Sequence, residues 1–351
     1  MTEPITEVAQ TEEREAPPAA TTPGHYQFLQ VALFVLRAGP ALILGLLVVA
    51  FSFTTPIFFT SQNIGNIFSQ TAVIAVLALG QLLVIISRGI ALSVGSTVAL
   101  SGVVGAIVFT HVHSTVLVIL AILGTGLAVG LVNGLVFVLG RIPHPFIVTL
   151  ASLSIVSGIA FLISNGTLIP NMPAAINTVG GSSIGWFPYA TFVVIGLALA
   201  TMVLTTYLVW GRWLYAVGGN PDAARLTGIP VGLVLVSVYA ISGLFAGVGG
   251  LLNAGLLDAG SPTAGQTGNL DSIAAVIIGG AAFAGGRGNV GNALVGAFTI
   301  GVIRDALNLN NVNAFWQLIA IGLIVVLAVE GDVIRSHVEN RVRLARSLRQ
   351  G

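Results

Sequence analysis

Residues 115–139 read TVLVILAILGTGLAVGLVNGLVFVL, a run without a single charge whose one amide side chain is Asn133. At about 1.5 Å of rise per residue a helix over this run is about 37 Å long, enough to cross the roughly 30 Å hydrocarbon core of a bilayer. Gly126, Gly130 and Gly134 fall four apart on one face. Such a stripe lets two helix backbones approach closely in lipid. Gly243, Ala246, Gly247, Gly250 and Ala254 repeat the theme further along.

Outward from this run the chain offers more of the same. Apolar segments bounded by polar or Gly/Pro breaks lie near 38–55, 66–87, 97–110, 115–139, 146–164, 189–210, 231–256, 272–286, 290–309 and 314–330. These predict an all-α polytopic membrane protein with about ten transmembrane helices. The third and eighth segments are short, and each reads either as a full span or as a broken or re-entrant helix buried in protein.

Composition agrees. The 351 residues are 55% hydrophobic and 7% charged, against about 25% charged in a soluble domain, and the mean hydropathy is +0.99. That excludes a cytosolic enzyme, a secreted domain and a nucleic-acid partner. Gly is abundant, at 44. Cys is absent, which removes disulfide and thiolate chemistry.

The basic residues are 13 arginines and no lysine. Basic loops stay cytoplasmic. With the N-terminus inside and ten spans, Arg14, Arg37, Arg88, Arg141, Arg212, Arg225, Arg287 and the five arginines after residue 331 all fall inside, and Arg304 falls within a span. Both termini are then cytoplasmic. Making both short segments re-entrant would move Arg141, Arg212 and Arg225 outside, so the charges favour ten spans. Three regions follow: a disordered acidic tail over 1–30, a membrane domain over 31–332 with an inner loop at about 211–230, and a basic tail over 333–351.

Soluble-enzyme motifs fail. A P-loop needs Lys at its Gly-rich turn, and none exists, so ATP is not hydrolysed here by that route. Gly286 to Gly291 fits G-x-G-x-x-G without the βαβ context of a dinucleotide site. Gly181 to Gly185 fits G-x-S-x-G in a loop, with no nearby His base. His111 and His113 share a short outer loop without acidic or Cys partners, too few ligands for a metal. His144, between Pro143 and Pro145, reads as a rigid break.

Other polar residues are more suggestive. Gln81, Ser93, Asn133, Asn253, Asn308, Trp316 and Gln317 are groups able to hydrogen-bond or stack a small polar solute, and all but Asn308 enter the candidate substrate pathway. Arg304 and Asp305, adjacent in the ninth span, either pair, face a cavity or mark the membrane boundary. The outer stretch 165–188 is long, polar and uncharged (Asn165, Asn171, Asn177, Ser182, Ser183, Trp186), and 257–271 carries Asp258 and Asp271. Either is an ordinary connector or a surface that covers the pathway or meets a soluble partner.

The inner loop holds AVGGNPDAARLTGIP at 216–230. Asn220 suits an N-cap, Pro221 the first helical position and Asp222 the positive end of the dipole, while Gly228 stops the helix. One to two turns of surface helix with no core to serve read as a docking element for a cytoplasmic protein.

This loop resembles the coupling segment, roughly GxNPxAAxxxGI, of the permeases of ribose/xylose/galactose-type ABC importers. In order, Gln81 to Ser96, including Leu92 to Ser96, resembles that family's GGIDLSVGS region, Ile142 to Leu150 its IPPFIVTL, and Asp271 to Gly280 with Gly285 to Gly288 its DAIAAVVLGG…GGRG. Phe315, Trp316, Gln317 and Gly322 match its final span. The likeness covers about 40–332. Ala91 stands where the family usually has Asp, and Arg88 where Gly is usual.

The resemblance implies a multi-pass bacterial inner-membrane subunit of an ATP-driven importer for a monosaccharide or similar solute, not an enzyme and without a cofactor of its own. ATP and Mg²⁺ would sit on a separate cytoplasmic ABC ATPase, docked on Gly219, Asn220, Pro221, Asp222, Ala223, Ala224, Arg225 and Gly228. An extracytoplasmic sugar-binding protein would meet Asp258 and Asp271, and a second permease subunit, identical or paralogous, would complete the pathway. The alternative is a stand-alone secondary sugar or polyol carrier; an intramembrane enzyme and a scaffold are weaker rivals.

Overall fold

The computed structural model describes residues 23–331, so the expectations for the tail before Pro23 and the tail after Gly331 lie outside the described residues. Thirteen helices follow in order: α1 (Pro23–Thr54), α2 (Ser61–Ile86), α3 (Val94–Val112), α4 (Thr115–Leu139), α5 (Pro145–Ile163), α6 (Ala174–Gly181), α7 (Tyr189–Thr206), α8 (Val209–Gly219), α9 (Pro221–Leu226), α10 (Val231–Leu257), α11 (Gly268–Ile278), α12 (Val290–Leu309) and α13 (Ala314–Gly331). Eight of them are long and apolar enough to cross a membrane, and Gly39–Thr54 and Gly268–Ile278 are shorter apolar helices. The protein is an all-α polytopic membrane protein.

Several boundaries differ from expectation. Helix α1 reaches back to Pro23, because the apolar run begins before residue 31. The third segment is a full-length helix of 19 residues: Val94, Gly95 and Ser96 continue it below position 97. The eighth is the truly short one, 11 residues long, since Gly279 and Gly280 (φ +79°) end it and the chain continues to Asn289 without helix. The expected span 189–210 breaks at Tyr207–Leu208 into α7 and α8. The outer stretch 165–188 is not a plain loop. It holds α6 and two minimal antiparallel pairings: β1 (Ile169–Pro170) with β4 (Ala259–Gly260), and β2 (Ser183–Ile184) with β3 (Phe187–Pro188).

Helix α2 is the centre of the bundle. From Ala72 to Ile86 its sequence is apolar on every face apart from Gln81, the mark of a helix buried all round, and 83% of its apolar window is buried inside the protein, against 22% for α4. Leu77, Leu79, Leu82, Leu83, Ile85 and Ile86 are all fully buried. The outer helices instead expose Leu46, Leu139 and Leu162, as lipid-facing residues do.

The glycine stripes meet as predicted by their spacing. A Cβ at Gly126 would lie 2.7 Å from the Cα of Gly247, and one at Gly243 would lie 2.6 Å from the Cα of Gly130. Helices α4 and α10 therefore touch backbone to backbone. By contrast Gly124, on the other side of α4, has nothing within 4 Å.

Two helices begin inside the bundle. The segment 87–93 turns back along α2 before α3 starts, and 261–267 descends along α3 before α11 starts. The two starts meet where Gly95 N–H donates to Asn269 Oδ1 at 2.8 Å. A Cβ on Gly268 would touch Leu77 at 2.9 Å. Leu77 is nine residues before the end of α2, about 14 Å along the helix axis.

Candidate functional site

The connections that carry Arg88, Arg141, Arg212, Arg225 and Arg287 gather at one end of the bundle, hereafter the arginine end. There α8 is tied on three sides. Trp210 Nε1 donates to Ser237 Oγ of α10 at 2.7 Å. Tyr215 OH donates to the Gly288 carbonyl at 2.8 Å. Arg88 donates from Nε to the Gly218 carbonyl at 2.7 Å and from Nη2 to the Gly219 carbonyl. Those carbonyls belong to the last turn of α8, where acceptors lack intrahelical partners and a cation is favoured. Close by, Gly286 N–H donates to the Ile86 carbonyl at 2.8 Å. The G-x-G-x-x-G stretch thus serves close backbone packing.

From this platform α9 projects outward, as its sequence predicts. The Asn220 side chain accepts from Asp222 N–H at 3.0 Å and Ala223 N–H at 3.1 Å, and Pro221 opens the helix. Thr227 caps it and Gly228 follows at φ +82°. Ala224 is buried and anchors the turn, whereas Gly219, Asp222, Ala223, Arg225 and Gly228 are exposed. Asp222 and Arg225 pair at 3.7 Å on the open face. Leu226 is 90% exposed, an apolar side chain held out at the tip of a polar surface helix. Sequence reading omitted Leu226; its place at the last helical position of a docking element was the available signal.

The sequence-predicted pathway residues separate into three places. Gln81, Ser93 and Asn133 lie buried at the foot of α3. The Gln81 amide lies 3.2 Å from both the N–H and the carbonyl of Ala91, so it holds the segment before α3, and Asn133 Nδ2 donates to Ser93 Oγ at 2.9 Å. Thr149 Oγ1 fixes the same segment through the Ile90 carbonyl at 2.8 Å. The space beside Ser93 and Asn133 is about 10 Å³, the least that holds one water. Trp316 and Gln317 lie on the far side, on α13, where Trp316 is exposed and Gln317 donates to Asn308 Oδ1 at 2.7 Å. Asn133 also borders a mostly apolar groove of about 430 Å³ between α4 and α5, and Asn253 lines a polar cavity of about 240 Å³ with Gln70, Thr267, Asp271 and Arg304.

That cavity contains the charges of the ninth span. Arg304 Nη2 donates to Asp271 Oδ2 at 2.7 Å and Oδ1 at 2.8 Å, and to Thr267 Oγ1 at 2.8 Å; Thr267 Oγ1 in turn donates to Asp271 Oδ2 at 2.9 Å. Asp271, expected on the outer surface, is buried within the bundle, because the short α11 starts at depth. Asp305 is also buried and accepts from Asn63 Nδ2 at 2.8 Å. Asp258 is exposed, at the end of α10 away from α9. It ends α10 in a left-handed conformation (φ +50°) and accepts from Met172 N–H at 2.9 Å and from Asn177 Nδ2 at 2.6 Å. These bonds, the backbone one first, hold its carboxyl below the usual carboxylate range. It ties α6 and its approach to the end of α10.

Among the described residues no group of three or more His, Cys, Asp or Glu is placed to hold a metal. His144 precedes α5 with Pro145 at its first position, and His113 ends α3 at φ +51°.

Known proteins align with most of this architecture. The ribose import permease protein RbsC of Escherichia coli (strain K12) is 34% identical over 320 residues, covering 89% of this chain and 98% of its own length. The fructose import permease protein FrcC of Rhizobium meliloti is 35% identical, covering 78% of this chain and 79% of its own. The xylose transport system permease protein XylH of Escherichia coli (strain K12) is 33% identical, covering 87% and 92%. No solved structure matches the chain with significance. A family signature matches residues 63–329, from the start of α2 to the end of α13. The chain belongs to that family, described as the branched-chain amino acid transport system / permease component.

Proposed function

We propose that this chain is the membrane-spanning pathway subunit of an ATP-driven importer for a monosaccharide or similar small polar solute, in a bacterial inner membrane. The observation that carries the reading is similarity over nearly the whole chain to permeases named for ribose, fructose and xylose. The chain is not an enzyme; ATP hydrolysis belongs to a separate ATPase.

The arginine end then faces the cytoplasm, and α9 is the element on which the ATPase docks. Its exposed Asp222, Arg225 and Leu226 offer one charge of each sign and an apolar anchor. Arg88, bonded to Gly218 and Gly219, carries movement of α8 and α9 into segment 87–93 and so to the start of α3. On the outer side, α6 and Asp258 form the surface presented to a solute-binding protein, and a second permease copy or paralogue completes the pathway.

The test is reconstitution in proteoliposomes with the ATPase and binding protein of the same transport system. The expected result is uptake of at least one of labelled D-ribose, D-xylose, L-arabinose or D-fructose that requires ATP on the α9 side and survives ionophores. Uptake by this chain alone, driven by an ion gradient, would establish the secondary-carrier reading instead.

A further inference from the structure

Arg304 sits fourteen residues into α12, about 21 Å along its axis, with Asp271 buried beside it. A charge at that depth is costly unless it is paired or faces a water-filled cavity. Here both conditions hold. The ion pair forms one wall of the cavity of about 240 Å³ between α2, α10, α11 and α12. Gln70 at its rim is exposed, and Leu77 and Gly268 at its floor are buried, so the cavity opens away from the arginine end.

The chemistry of the wall selects a ligand. Asp271 and Arg304 cancel, so no net charge draws an ion. One guanidinium nitrogen, Nη2, donates to both Thr267 and Asp271, and the buried Nε has no hydrogen-bond partner. Gln70 and Asn253 bring amides, each both donor and acceptor. Valine, isoleucine and leucine side chains of α2 supply an apolar face. Mixed donors and acceptors opposite an apolar face, without net charge, fit a neutral polyhydroxylated ring. The volume lies below the roughly 300–1,000 Å³ of drug-sized ligand sites, which limits the occupant to one small solute.

We propose that this cavity is a monosaccharide subsite within a single subunit, reached from the side opposite α9, with Arg304, Asn253 and Gln70 contacting the sugar and Asp271 positioning Arg304. The proposal rests on the sugar-importer reading above.

Because the chain lacks cysteine, Asn253→Cys and Gln70→Cys are single reporters in the full-length chain. Each variant, assembled with its ATPase and binding protein in proteoliposomes, is treated with a small charged methanethiosulfonate, with and without the labelled sugar that the wild-type importer takes up. The expected result is modification of both positions, slowed about threefold or more by that sugar, as occupancy of about two thirds of the sites would give. His111→Cys, at the exposed end of α3, is modified at an unchanged rate. Arg304→Gln with Asp271→Asn, which keeps the wall neutral, raises the sugar concentration for half-maximal uptake by about tenfold. Intact sugar uptake with neither cysteine protected overturns the subsite and leaves the importer reading standing. Absence of uptake for any of the four sugars named above overturns both.

Discussion

Arg88 and Gly218, 130 positions apart in sequence, are joined by a 2.7 Å hydrogen bond that closes the end of α8 against the turn following α2. Arg88 holds this contact in a left-handed conformation (φ +67°) normally left to glycine or asparagine. A costly backbone is kept where a side chain gains something from it, here two carbonyls of the helix end nearest the docking element.

Replacing Arg88 with Ala should therefore separate the two halves of the cycle. A charged hydrogen bond contributes about 1.5–3 kcal/mol, and less where exposed as here, so the fold survives. Uptake by the reconstituted importer is expected to fall about tenfold, a loss of about 1.4 kcal/mol in coupling, with ATPase activity changed less than about twofold. Parallel loss of both activities would make Arg88 merely structural.

The surface helix offers a sharper contrast between folding and function. Asn220→Ala removes a cap worth about 1 kcal/mol. Reversing Asp222 or Arg225 breaks an exposed pair worth about 0–1 kcal/mol to the fold. Thermal stability should stay near wild type in the reversals, while the ATPase no longer co-purifies or its hydrolysis no longer drives uptake. Unchanged uptake in a chain carrying both reversals would remove α9 as the docking element.

Glycine substitutions on α4 should depend on face rather than on residue type. Gly126→Ile must push α4 and α10 apart, an overpacking cost of about 1–3 kcal/mol or more. Gly124→Ile points into open space and should cost within about 0.5 kcal/mol. Detergent-solubilised Tm values for the two variants check this directly.

Acid should loosen the outer surface before it reaches the bundle. Asp258 has a lowered folded pKa, held down by Met172 N–H and Asn177. Its contribution is fully present above the unfolded carboxylate value, about 3.9, and is lost as pH falls through the lower folded value. Hydrogen exchange of α6 is expected to be constant between about pH 5 and 8 once intrinsic rates are corrected, and to rise in stronger acid. Asp258→Asn should show the faster exchange at neutral pH.

Sidedness can be read with two cysteines. Ala175, on α6, and Ala223, on α9, are both exposed. In right-side-out cells an impermeant maleimide should label Ala175→Cys and spare Ala223→Cys. The reverse pattern would invert the arginine assignment.

Much of the architecture follows from features that are local in sequence. Run length marks the apolar segments, four-residue glycine spacing marks the α4–α10 contact, and the Asn-Pro-Asp order marks the start of α9. Less local properties were hidden. An apolar run does not say where its helix breaks, so the sequence reading carries the α7 span past its end at Thr206 and draws α11 past its end at Ile278. Asp271 was placed on a surface because it precedes an apolar run. Its actual partner, Arg304, is 33 residues away and is supplied by a different helix. Gln81 and Asn133 are polar residues in apolar runs, a pattern shared by groups that bind a solute and groups that pin a neighbouring backbone; only the fold distinguishes them.

The central position of α2 has a consequence for how the chain is made. It is synthesised before α10, α11 and α12, the helices that will enclose it, so it enters the bilayer with lipid as its first neighbour. Its sequence must be acceptable to two solvents in succession. One buried amide on it, Gln81, finds its backbone partner Ala91 only ten residues later. Asn63 waits 242 residues for Asp305, but it is the third residue of the helix, where interfacial water can serve meanwhile. For these two amides the order of translation matches depth: the one away from the helix start has a partner made almost at once, and the one whose partner comes late sits near the interface.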